Sequence, residues 1–390
     1  MNKIEQKKSK LKTSLAKFKE RILIAKRNKI NFSPAFIAVL ALLTFILAVI
    51  FGRMPDISAG SEYNYKSQKT NHTKITFVGD VMPGRYLEAT GEKYGLDVFY
   101  ADTKSIWKDS DVSMVNLESA VLSEEPSLAN YPDIEANLQK IRLAVGKEEV
   151  KAIKDSGINL IGFSNNHASD YGIKGLQESF SIFNELGASF VGAGNNINEA
   201  IKPYIQEING KSVSITAITD RVPFNPTAGQ SLPRVYTTRY IYTDYEMGRT
   251  FSNNDFNIVF IHWGTENALK PDKHIQELGR KYIDLGADLV IGAHPHVLLP
   301  VEKYNGGAIV YSMGNFVFDQ SSLRSPYSAI GNLYYNDSER FLEFIAIKSD
   351  KGIPLVQEDN KNMKKSFDAL TRLLDKDEYE IKDGKLIIEF

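Results

Sequence analysis

Eighteen consecutive residues, Ala35 to Gly52, carry no charge, and this divides everything the 390-residue chain can do. With the uncharged Ile30–Pro34 before it, the stretch is long enough to cross a hydrocarbon layer as a helix. The first 31 residues hold nine Lys and two Arg against two Glu, a net +9, which leaves −10 on the remainder of a chain whose total is −1. A basic block ahead of an apolar span points to the cytoplasmic side. The rival is a cleaved signal peptide, but 34 residues precede the apolar core and no Ala-x-Ala site follows it. The expected plan is therefore a basic tail (1–34), a transmembrane signal anchor (35–52), a stalk rich in Ser, Asn, Lys and Gln (53–73), and a folded region from Lys74 outside the cytoplasm.

The folded part alternates two periodicities. Apolar runs of strand length stand at 74–78, 111–115, 158–163, 188–191, 211–218, 257–261, 288–291 and 308–311. Helical spacing fills 98–108, 147–156, 173–186 and 272–285. Strands alternating with helices mean an α/β layered fold. Three prolines between Val222 and Gly248 mark an irregular insertion, and residues beyond 336 read as an extension with a helix at 367–374 and a hairpin around Asp383-Gly384. Strand order stays open.

Chemistry-bearing residues gather where these strands end, the place where open α/β sheets collect ligands. They are Gly79-Asp80, Asn116-Leu117-Glu118, Asn165-Asn166-His167, His262-Trp263-Gly264-Thr265-Glu266 and His294-Pro295-His296, which together take four of the six histidines. An extended His-x-His aims both rings to one face. Cysteine is absent, so thiolate ligands, thiol nucleophiles and disulfides are excluded. Carboxylates, an amide oxygen and imidazoles suit a divalent ion such as Mn, Zn or Fe. Asp80, Glu118, Asn166, His262, His294 and His296 are the candidate ligands. His167 can protonate a leaving group, and Arg85 can grip a carboxylate or phosphate. Taken singly, each has a duller reading: Asp80 as a cap, Asn166 as a turn residue, His262 as a core histidine, Arg85 as a solvated cation. Asp170-Tyr171-Gly172 reads as a structural turn, and His72 and His274 as stalk and surface residues.

The strings GDVMPGR (79–85), NLE (116–118), NNHASDYG (165–172), HWGTE (262–266), GAHPHV (292–297) and YSMGNFVFDQ (311–320) resemble the CapA, or PgsA-type, family of poly-gamma-glutamate capsule proteins. The resemblance implies a domain over 74–336 related to calcineurin-like metallophosphoesterases, with layered sheets and flanking helices after one transmembrane helix. It also implies membership in a membrane machine that makes or exports poly-gamma-glutamate, beside a ligase and small membrane subunits; nucleic acid is not an expected partner. A metal-dependent hydrolase acting on a phosphoester or on the polymer is the alternative. One departure stands out. The phosphoesterase Asp-x-His motif has Met82 in its third position, a poor ligand for a hard ion, so one metal position is expected to be weak or empty.

Overall fold

The computed structural model describes residues 63–67, 71–124, 126–127, 130–131, 141–221, 231–320 and 326–390. The basic tail and the expected anchor lie outside the described residues, among which no helix is long and apolar enough to cross a membrane.

Four strands predicted from the sequence form at Thr73–Val81 (β1), Val112–Leu117 (β2), Leu160–Gly162 (β3) and Ser189–Val191 (β4) and lie side by side in that order, all parallel. A second sheet takes Tyr204–Ile208 (β5), Lys211–Thr219 (β6), Phe256–His262 (β7), Leu289–Ala293 (β8), Leu298–Tyr304 (β9) and Gly307–Met313 (β10), in the order β9-β10-β8-β7-β6-β5. The central β7 and β8 are buried along their whole length, hence their nearly unbroken apolar runs. Edge strand β5 alternates instead.

Alternation along each strand decides which residue meets which layer. Ile258 and Phe260 of β7 and Leu289 and Ile291 of β8 face inward against Phe77, Met114 and Leu160 of the first sheet. Val259, Ile261 and Val290 face outward, where helices Thr243–Phe251 and Lys273–Asp284 cover them with Met247, Phe251, Ile275 and Tyr282. The result is two facing sheets with helices outside. Because β1, β2, β3, β7 and β8 are all parallel strands, their C-terminal ends fall at loops that can share one edge.

The C-terminal part departs from the sequence reading. Residues beyond 336 are built into the first sheet through the strand before them: Tyr327–Tyr335 (β12) pairs with β1, Arg340–Asp350 (β13) pairs with β12, and Ile353–Val356 (β14) and Lys385–Glu389 (β16) both pair with β13. Asn315–Val317 (β11) lies beside the end of β1, and Glu380–Lys382 (β15) completes the expected hairpin, with Asp383 and Gly384 both at positive φ. The last helix starts earlier than its apolar spacing suggests, at Asn360, because Asp359 accepts from the Asn362 amide at 2.9 Å and caps it. The helix expected over 98–108 is broken into short 3-10 turns and one α turn at Lys104–Trp107. Asp102 in this region is turned to accept from the Val356 amide of β14. Within the insertion, a helix begins at Thr243.

Part of the segment expected as stalk is docked. The Tyr65 hydroxyl donates to buried Glu343 at 2.6 Å, and its ring lies 4.4 Å from Lys74 Nζ and 4.3 Å from Lys385 Nζ. His72 is buried as well, pairing with Glu339 at 2.9 Å.

Candidate metal centre

The site begins with a backbone approach. The Asp80 amide donates to the Gly314 carbonyl, and a Cβ on Gly79 would collide with that oxygen, so glycine is required there. This places Asp80 level with Asn116 on β2 and Asn315 on β11. Across the sandwich, His262 is the last residue of β7 and lies level with Ala293 of β8.

His294 and His296 do converge, but not by strand alternation. The strand stops at Ala293, and both histidines have positive φ, 93° and 58°. Non-glycine residues in this region cost about 1–3 kcal/mol each and persist only where surroundings hold them. Here the His294 amide donates to both Asp80 oxygens at 3.3 and 3.2 Å. His296 Nδ1 lies 2.8 Å from Asn315 Oδ1 and 3.2 Å from Asp80 Oδ2.

Glu118 sits at the centre. It is fully buried, and neither carboxylate oxygen has a hydrogen-bond partner among the described residues. Around its Oε1 stand three imidazoles, His262 Nε2 at 3.5 Å, His296 Nε2 at 3.8 Å and His167 Nε2 at 4.0 Å. His294 Nδ1 is also buried without a partner among the described residues, its ring 4.7 Å from that of His262. Asn166 Oδ1 lies 2.7 Å from His262 Nε2. Two overlapping donor sets result, Asp80–Glu118–His262 and Glu118–His294–His296, each with ligand atoms within 4.8 Å of one another. All six sequence candidates therefore meet in one volume, and Glu118 belongs to both sets.

A buried carboxylate with two orphan oxygens is costly unless a cation meets it. Burial, reinforced by Asp80, pushes the Glu118 carboxyl well above its usual range. Burial and the neighbouring imidazoles hold His262 and His294 well below theirs, so both rings are neutral at pH 7. Burial also opposes charge on His296, but Glu118, Asp80 and Asn315 outweigh it and lift the ring to about 10. Orphan oxygens, an orphan ring nitrogen and a mixed oxygen and nitrogen donor set fit a divalent ion.

The surroundings orient these ligands. Asn116 Nδ2 reaches Asp80 Oδ1 at 2.8 Å and lies 3.2 Å from His262 Nδ1, while Asn165 Nδ2 donates to Asn116 Oδ1 at 3.1 Å. His167 Nδ1 lies 2.7 Å from Asp170 Oδ2, which also accepts from the Leu143 amide at 2.7 Å. Asp170 is thus more than the turn residue its spacing suggests; Asn-x-His-x-x-Asp, with acid and ring at i and i+3, was the available signal. Met82 packs in an apolar cluster with Leu143 and Phe318, as its chemistry dictates. Arg85 is engaged by Asp319 at 3.2 Å, not by a cage side chain among the described residues. Arg221, not singled out by sequence, follows β6 beside His262. His274 is exposed and pairs with Asp220 at 2.9 Å.

Comparison with known proteins adds a sequence relationship. The profile of the family described as bacterial capsule synthesis protein PGA_cap matches residues 74–320. The PGA biosynthesis protein CapA of Bacillus subtilis (strain 168) is 32% identical over 331 residues, 83% of this chain and 84% of that one. The capsule biosynthesis protein CapA of Bacillus anthracis is 29% identical over 342 residues, 86% and 82% of the two chains. Similar solved structures include the sulfate thiohydrolase SoxB of Thermus thermophilus, 9% identical with a TM-score of 0.40 over 81% of this chain and 63% of that one. A 5'-nucleotidase precursor from the same organism is 11% identical, with a TM-score of 0.37 over 73% and 53%.

Proposed function

This chain belongs to the PGA_cap family of bacterial capsule synthesis proteins, and from that premise we propose that it is a membrane-anchored component of poly-gamma-glutamate capsule synthesis or export. Its folded part works outside the cytoplasm around a divalent cation, Mn, Zn or Fe, held by Asp80, Glu118, Asn166, His262, His294 and His296. The observation that carries the metal reading is Glu118, a buried carboxylate inside a ring of imidazoles with no hydrogen-bond partner among the described residues. The uncharged span at 35–52 behind a +9 tail supports the anchor. A polyglutamate chain or its precursor is the ligand class, and a ligase with small membrane subunits the expected company. Since the chain beyond residue 31 carries −10, a polyanion needs a local cation to approach, and the cage supplies the place for one.

The test is deletion of the gene and complementation with wild-type or Glu118→Ala protein, reading surface polymer by antibody. Polymer unchanged on deletion removes the capsule reading. Full rescue by Glu118→Ala removes the cage from the function.

A hydrolase reading is favoured by one further observation, the His167–Asp170 pair at the rim. A divalent ion in the cage supplies Lewis-acid polarisation of a phosphoryl or carbonyl oxygen. Asp170 holds one nitrogen of the His167 ring, which leaves Nε2 toward the cage to pass a proton to a leaving group. The detergent-purified full chain with added Mn or Zn should cleave a phosphoester or the polymer, and His167→Ala should lose turnover while keeping its metal. No turnover of either substrate with Mn, Zn or Fe rules the hydrolase out.

A further inference from the structure

Arg221 has no place in the metal cage, yet the fold fixes it beside one. Thr219, the last residue of β6, is level with His262, and the Asp220 amide donates to the His262 carbonyl at 2.9 Å. The Arg221 amide then donates to Thr219 Oγ1 at 3.1 Å, which ties the next residue to the same strand end. The side chain heads for the loop after His262, where, among the described residues, Nη2 makes only a long 3.4 Å contact with Thr265 Oγ1. Its positive charge is felt at both His262 and His294.

Its partners do not account for it. Nε is buried and has no hydrogen-bond acceptor among the described residues. The adjacent carboxylate, Asp220, is occupied by the Thr238 hydroxyl at 2.7 Å and by His274. The other arginine near the site, Arg85, is bound by Asp319, next to Phe318, whose ring leans on His296 at 4.9 Å. An arginine fixed next to a cation cage, with no protein anion on it among the described residues, is repelled by the cage's cargo unless an anion comes between them.

We propose that Arg221 grips an oxyanion of the ligand, a carboxylate or phosphate with two oxygens matched to its forked donors, and presents it to the metal cage. Arginine is suited to this because it holds paired oxygens in a fixed plane and stays charged. The inference rests on the cage holding a cation. It assigns to Arg221 the ligand contact that the sequence suggested for Arg85. A γ-linked glutamate chain carries one such carboxylate on every residue, so Arg221 would select a position along it.

The test uses the full chain in detergent, wild type, Arg221→Gln and Arg221→Lys, with oligo-γ-glutamate and inorganic phosphate as probes in calorimetric titrations, and metal content measured on each sample. Arg221→Gln should keep its metal and weaken oligomer binding by about ten- to a hundredfold, the loss expected for a charge-assisted bond, with Arg221→Lys between. Weakening for phosphate alone supports the grip and assigns phosphate as the group held. Unchanged binding of both probes in a metal-replete Arg221→Gln chain overturns the proposal. Wild-type protein that binds no metal removes the cage reading and with it this proposal, a failure distinct from unchanged binding in a metal-replete Arg221→Gln chain.

Discussion

Glu118→Gln separates a metal cage from an accidental cluster, because the two differ in the size of the thermal shift that metal produces. In the wild-type chain without metal, Glu118 is sustained mainly by charged His296, 3.8 Å away. At an effective dielectric of about 20 that attraction is about 4 kcal/mol. Removing a buried carboxylate also removes a desolvation penalty of several kcal/mol, so metal-free Glu118→Gln should unfold within about 2 kcal/mol of wild type. Metal is where they part. A ligand at a hundred times its Kd stabilises by about 2.7 kcal/mol. Roughly 330 residues from Gly60 to Phe390 fold as one unit. At about 2.1 cal/mol/K per residue their unfolding entropy is about 0.7 kcal/mol/K, so the wild-type Tm should rise by about 4 °C. A hundredfold weaker site reduces this to about 0.4 kcal/mol and under about 1 °C. Differential scanning fluorimetry of the detergent-solubilised full chain with Mn, Zn and Fe reads both. An equal shift in Glu118→Gln would refute the shared-carboxylate argument, and no shift in the wild type with any of the three would refute the cage.

Metal uptake should release protons at pH 7–8, because His296, lifted to about 10 in the metal-free protein, must lose its proton to become a ligand, whereas His262 and His294 are already neutral. An indicator-dye titration that finds no release contradicts this. By the same linkage, the stability His296 contributes without metal is complete below its ordinary 6.5 and lost as pH rises through about 10, which urea titrations of the chelated protein across that window can follow. Gly79→Ala drives a methyl group into the Gly314 carbonyl and should cost about 1–3 kcal/mol or more, together with metal binding; a wild-type urea midpoint would show that β1 and the 314 turn can separate freely. Tyr65→Ala removes the bond to Glu343 and the ring held by Lys74 and Lys385, for about 2–4 kcal/mol in urea unfolding, with Tyr65→Phe losing about half. An unchanged midpoint would mean that residues 63–67 do not stay docked in solution.

Legibility followed the range of the interactions. Central parallel strands such as Phe256–His262 and Leu289–Ala293 were readable to within two residues, since burial on both faces leaves a local run of apolar side chains. Strands β12 and β13 escaped notice, although Asn336, which accepts from the Ser338 and Glu339 amides at 2.8 and 3.0 Å, marks their turn. Their polar members, Asn332 and Glu343, are buried because they bond each other and Tyr65, a compensation that no periodicity reveals. Arg221 was missed for the same reason, as its meaning lies in a neighbouring strand end far along the chain, whereas Asp170 sits three residues from His167 and its pairing was open to a local reading.

By itself the sequence determined the alternation of strands and helices, the exclusion of sulfur ligands, and the kinds of donor placed at each strand end, because periodicity and residue chemistry are local properties. Only the tertiary structure decided that Asp80, Glu118, Asn166, His262, His294 and His296, from five separate strand ends, share one volume, and that His294 and His296 reach it through left-handed backbone rather than an extended strand. It also left Glu118 without a hydrogen bond among the described residues. Convergence depends on which strands pair and on the twist between two sheets, and those are set by burial summed over the whole domain rather than by any window of residues.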